Sequence, residues 1–133
     1  MIRHIVLFKL KPGVTWQDPR VAAAEELARR VGDEVASLRE WYAGRNFSTR
    51  PVAYDFVVIG LVDDEEALEA YMADPFHVRA IERWREISDW VIADVLEQPV
   101  GQPVGQPVGR RESGHAGPAL ALGVPVGAGE AAA

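Results

Sequence analysis

A chain of 133 residues with 48% hydrophobic and 26% charged positions has the make-up of one ordinary globular domain. Its net charge of −6 excludes a sequence-independent nucleic-acid binder, which needs a basic stripe to neutralise phosphates. Cysteine is absent, which excludes disulfides and thiolate chemistry; no apolar stretch is long enough for a membrane span or a secretory leader, so a cytoplasmic location is expected.

In chain order, Ile2 to Leu10 reads as a first strand, closed by Lys11-Pro12-Gly13, where proline cannot donate to a ladder and glycine supports a turn. His4 shares a face with Ile2, Val6, Phe8 and Leu10; Arg3, Ile5, Leu7, Lys9 and Lys11 occupy the other. The first set is the cleaner apolar face and is expected to look toward helices. Asp18-Pro19 is a cap followed by a proline at the first helical position. Val21, Ala24, Leu27, Ala28, Val31 and Val35 then recur at helical spacing. A second strand is expected from Glu40 to Phe47, a turn over Ser48 to Pro51, and a third strand from Tyr54 to Val62.

The acidic run Asp63-Asp64-Glu65-Glu66 reads as charge placed at a helix N-terminus. A helix over 64–88 is broken at Asp74-Pro75, again a cap-plus-proline restart, and Trp90 to Leu96 form the last strand. The order is βαββαβ. That is an α+β, ferredoxin-like subunit, an antiparallel sheet with the helices on one face. From Gln98 the composition changes: Gln-Pro-Val-Gly occurs three times, and 98–133 hold 8 of the 12 glycines and no aromatic residue. Such a segment cannot bury enough apolar surface to offset its ordering entropy, so the domain is placed at 1–97 and 98–133 is expected to be a disordered tail. The tail is neutral, with Arg110 and Arg111 against Glu112 and Glu130, so the domain carries all of the −6.

Phe56 to Val62 is apolar on both faces, and the first strand nearly so. Helices cover only one side of such a sheet, and no residues remain for the other. A homodimer with sheets stacked face to face is the expected solution.

The domain has two histidines, His4 and His77. His77 lies four residues before Ile81 and seven before Trp84, and Tyr71 three residues after Leu68, so all are expected to face inward. Two readings follow. In one, His77 is a general base in a cavity between sheet and helices, Tyr71 orients a substrate carbonyl or phenol, His4 assists, and Tyr54, Phe56, Val6, Phe8, Ile81 and Trp84 line the pocket. In the other, both histidines are satisfied core residues, His77 bonding a nearby carbonyl. Gly60 is a place where a ligand or helix could come close. No nucleotide-binding or nucleophile motif occurs, and with at most two histidines no metal or cofactor is expected.

Four segments carry a resemblance: Ile2-Arg3-His4-Ile5-Val6-Leu7-Phe8-Lys9-Leu10-Lys11, Tyr54-Asp55, Glu65-Glu66-Ala67-Leu68-Glu69-Ala70-Tyr71, and Asp74-Pro75-Phe76-His77-Val78. They make residues 1–97 similar to the stress-responsive dimeric α/β-barrel (Dabb) family. The resemblance implies a ferredoxin-like subunit whose sheet joins its partner's in a barrel. It also implies that any chemistry would be cofactor-independent. In the plant polyketide cyclases of this family a pocket histidine acts as base beside a tyrosine, roles that would fall on His77 and Tyr71, with His4 as the strand histidine. Those cyclases carry a further histidine where this chain has Phe56, which makes the expected pocket more apolar. The expectation is therefore a homodimer that binds a small hydrophobic or aromatic molecule, with histidine-assisted acid/base chemistry; the alternative is a non-catalytic stress-associated or structural dimer. A third reading makes the repeats a tether to another protein.

Overall fold

The computed structural model describes residues 1–98; the tail expected at 98–133 lies, but for Gln98, outside the described residues. The elements are β1 (Ile2–Leu10), α1 (Pro19–Glu34), β2 (Leu38–Arg45), β3 (Phe56–Val62), α2 (Glu65–Ala73), α3 (Pro75–Ile87) and β4 (Ser88–Leu96). The strands form one antiparallel sheet in the order β2-β3-β1-β4, the ferredoxin-like arrangement expected from the sequence.

Helix starts follow the cap signals. Asp18 accepts from the Arg20 amide, Asp64 from Ala67 and Asp74 from Phe76, each satisfying an amide that the first helical turn leaves orphaned. Asp74 also ends α2: Pro75 forbids helical backbone before it, and Asp74 sits at φ −63°, ψ 131°. The first turn of α2 carries Glu65 and Glu66, so the acidic run is accounted for by the helix dipole, while Asp63 pairs with Arg39 at 2.8 Å.

Four strand boundaries differ from expectation: β2 begins two residues early, at Leu38, and the other three have local settings. β2 ends at Arg45, because the Asn46 side chain accepts from the Ser48 amide in an Asx turn that leaves Phe47 almost wholly exposed. β3 begins at Phe56, so Tyr54 falls outside its alternation. β4 begins two residues early, at Ser88, which caps α3 by donating its hydroxyl to the Trp84 carbonyl at 2.7 Å.

The core lies between the sheet and the helices. Ile2, His4, Val6 and Phe8 of β1 and Phe56, Val58 and Val62 of β3 are buried there against Val21, Ala24, Leu27, Ala28 and Val31 of α1 and Ile81, Trp84 and Ile87 of α3. Two indoles tie the layers to α1: Trp41 Nε1 donates to the Ala28 carbonyl at 2.8 Å and Trp84 Nε1 to the Ala24 carbonyl at 3.1 Å. Beside them Glu25, only 6% exposed, accepts both arms of Arg45 at 2.6 and 2.8 Å, and Arg45 stacks on Trp16. The opposite face of the sheet is open. It carries Leu7, Tyr42, Val91 and Val95, all substantially exposed, and nothing among the described residues covers it.

Candidate functional site

The backbone brings His4, Tyr71 and His77 together in the interior. β1 alternation turns His4 inward, and the last turn of α2 delivers Tyr71. The restart at Asp74-Pro75 sets His77 on the first turn of α3. All three are at most 3% exposed. The Tyr71 ring lies 4.2 Å from that of His77 and 5.1 Å from that of His4, centroid to centroid, and 6.0 Å from Trp41. Tyr71 is thus the hinge of the cluster, with a histidine on either side.

The two imidazoles are held differently. His77 Nδ1 donates to the Met72 carbonyl, a long bond at 3.3 Å, the kind of partner that the core-residue reading foresaw. His4 Nδ1 faces Asp94 Oδ1 at 2.5 Å. Asp94 sits directly across from His4 in the β1–β4 register, and its side chain retains 30% exposure. The other nitrogen of His4, Nε2, is buried and has no hydrogen-bond partner among the described residues. Burial, with the Asp94 charge adding to it, pushes the Tyr71 phenol well above its ordinary range, so Tyr71 is a neutral donor or acceptor rather than a phenolate.

A small cavity adjoins the cluster, lined by Tyr71 and His77 together with Phe8, Val58, Trp41 and Trp84, among others. At about 20 Å³ it holds roughly one water. Phe8, Ile81 and Trp84 are in its wall, whereas His4, Val6 and Phe56 are buried without forming it. Phe56 stacks on Trp84, with centroids 4.8 Å apart. The expectation for Tyr54 needs correction. It stands with Leu7 and Val57 in a wide groove of about 480 Å³ on the other side of the sheet, and Lys9 lies 5.8 Å over its ring. Tyr54 precedes β3, so the alternation of that strand does not reach it. Gly60 is also filled rather than open: a Cβ there would meet Leu38 at 3.0 Å and the Trp41 ring at 3.1 Å, so the close approach comes from the neighbouring strand.

Asp94 was not singled out from the sequence. Its signal was available: in Trp90, Ile92, Asp94 and Leu96 a carboxylate interrupts an apolar alternation, but only the pairing of the first and last strands puts it opposite a histidine. Among the described residues no three His, Cys, Asp or Glu side chains gather as metal ligands, and no helix is long and apolar enough to cross a membrane.

A buried His–Tyr–His cluster thus lies under a four-stranded antiparallel sheet of ferredoxin-like order. The chain belongs to the stress responsive A/B barrel domain (Dabb) family, whose profile matches residues 2–96. It is 48% identical over 94 residues to an uncharacterized protein of Streptomyces coelicolor, covering 71% of this chain and 97% of that one. Among solved structures it is similar to a dimeric ferredoxin-like protein of unknown function from Thermobifida fusca (25% identity, TM-score 0.64, 72% of this chain and 90% of that one). It is also similar in fold to a Dabb family protein from Mesorhizobium loti (21% identity, TM-score 0.62, 74% and 97%).

Proposed function

We propose that this protein is a homodimer that binds a small, mainly apolar or aromatic molecule between its sheet and helices, with His4, Tyr71 and His77 supplying acid/base groups to it. The observation that carries the reading is the cluster itself: two buried imidazoles flank a neutral phenol beside an apolar cavity. Buried imidazole is expensive to leave merely packed, and convergent polar groups in an apolar wall are the usual make-up of a ligand site. Homodimerisation is supported by the uncovered apolar face and by the dimeric state of the Thermobifida fusca protein.

A cavity of about 20 Å³ is closed to anything larger than water, so binding requires an element to yield. α2 is the element that can. Of its nine residues only Tyr71 is buried, and it ends at the Asp74 break, where the backbone already leaves helical geometry. A ligand that shifts α2 outward widens the cavity against Trp41, Trp84 and His77.

Titration with aqueous toluene, followed by amide correlation spectra, tests this. Shifts concentrated on α2 and on His77, Trp84 and Val58 are expected; an unchanged spectrum at toluene saturation overturns the reading. The competing reading, a structural dimer whose histidines only fill space, is favoured by the small cavity and by the His77–Met72 bond. It predicts no response to toluene and a loss of stability alone in His77→Ala.

A further inference from the structure

We propose that the groove on the helix-free side of the sheet receives the end of β4 from a second copy, Val95 to Glu97. Arg50 is the cation that meets the incoming Glu97 carboxylate. The proposal deepens the homodimer reading above and rests on it.

The groove has an apolar lining of Leu7, Val57, Val52 and Ala53, with the Tyr54 ring, and about 480 Å³ is room for several side chains. Arg50 is the one charged residue that lines it. No carboxylate does, and Arg50 makes no ion pair among the described residues. Asp55, next to Tyr54 in the chain, turns its carboxylate to the Leu10 amide at 2.8 Å instead. Lys9, over the Tyr54 ring, donates to the Ala53 carbonyl at 3.2 Å, so it adds a second cation without a carboxylate.

The complement stands at the other end of the same sheet. There β4 finishes in exposed apolar surface: Val95 is half exposed and Leu96 is 81% exposed. Beside them one guanidinium holds two carboxylates. Arg3 pairs with Glu97 at 2.7 Å and with Glu40 at 2.8 Å, so this end carries one negative charge in excess. Glu97 can therefore turn to a second cation while Arg3 keeps Glu40. An apolar strand end with a surplus carboxylate matches an apolar groove with a lone guanidinium.

One chain cannot make this contact with itself. The register sets Ile2 against Leu96 and Phe8 against Phe56. The length of β1 from Ile2 to Phe8, about 20 Å, thus separates the end of β4 from its own groove. In a two-fold dimer each groove takes the strand end of the other copy, and the contact is made twice.

Glu97→Lys and Arg50→Glu test the charge pairing in the full-length chain, with dimer dissociation followed by sedimentation over a dilution series. Each variant alone is expected to dimerise about tenfold more weakly than wild type, because both of its contacts then oppose like charges. An equimolar mixture of the two should regain wild-type affinity, since one mixed dimer holds a native contact and a reversed one. A spin label on Val52→Cys, in a chain with no other cysteine, gives a readout that needs neither charge variant. Mixed with ¹⁵N-labelled wild type, it should broaden the amides of Val95, Leu96 and Glu97 most strongly. Variants that dimerise like wild type, a mixture no tighter than its components, or broadening centred elsewhere overturns the proposal and leaves the homodimer standing. A wild-type chain that stays monomeric at micromolar concentration removes both.

Discussion

At the residue scale, the cluster divides labour by what each ring is bonded to. His77 bonds backbone, His4 bonds a carboxylate, and Tyr71 lies between them with its phenol held neutral by burial. The last point has a consequence in alkali. Once the pH passes about 10, the ordinary tyrosine value, the unfolded chain loses a proton that folded Tyr71 keeps. The folded state then binds more protons than the unfolded one, so stability falls as pH rises, by about 1.4 kcal/mol per pH unit from this residue alone. Urea midpoints between pH 9 and pH 11 should therefore drop less steeply in Tyr71→Phe than in the wild type; parallel slopes would mean that Tyr71 ionises in place. His4, Tyr71 and His77 were each legible from periodicity, because a period of 2 or 3.6 says which face a residue occupies. Asp94 was not. Its role depends on which strand lies beside β1, and no local pattern carries that.

At the element scale, α1 and β2 meet through a tryptophan and two glycines. A Cβ on Gly32 would lie 2.8–3.0 Å from Cδ1, Cβ and Cγ of Trp41, and Gly60 clears space on the other side of the same indole. Trp41 in turn walls the cavity and stacks near Tyr71, so the glycines position the site at one remove. Gly32→Ala sets two effects against each other. Helix propensity favours alanine by about 1 kcal/mol, whereas forcing a methyl against the root of Trp41 costs about 1–3 kcal/mol. Because the clash is with the Cβ and first ring atoms rather than a flexible tip, the second effect should win. A net loss of about 1 kcal/mol in thermal or urea unfolding is expected, with altered Trp41 fluorescence; a stabilised variant would show that the helix can shift. The helix starts at Asp18, Asp64 and Asp74 are legible from capping chemistry, since a cap is a local device. The boundaries of β2 and β3 are less so. The Asx turn at Asn46 stops a stretch whose aromatic content reads as strand, and Tyr54 lies before Phe56, where β3 begins.

At the scale of the whole molecule, the sheet is covered by helices on one side, and nothing among the described residues covers the other. The bare side presents Leu7 at the centre of β1 with Tyr42, Val91 and Val95 around it. With a second copy stacked there, light scattering at micromolar concentration should return twice the chain mass of 14.6 kDa. Leu7→Glu should shift that mass toward the monomer, because each copy would have to bury an unpaired carboxylate in a dry interface. A single-chain mass for the wild type would refute the stacked-sheet dimer and leave the open face to some other partner.

The sequence by itself determined the element order, the inward set of β1, the capped starts of the helices and the break at Asp74-Pro75. These are short-range properties, set by backbone sterics, orphan amides and the repeat of apolar residues. Tertiary structure alone decided that Asp94 backs His4, that Gly60 serves Trp41, that Tyr54 lies on the far side of the sheet, and that Tyr71 and His77 share the wall of one small cavity. Each of these depends on strand register and on which helix lies over which strand. Those are fixed by the joint burial of residues far apart in the chain, so no window of sequence contains them.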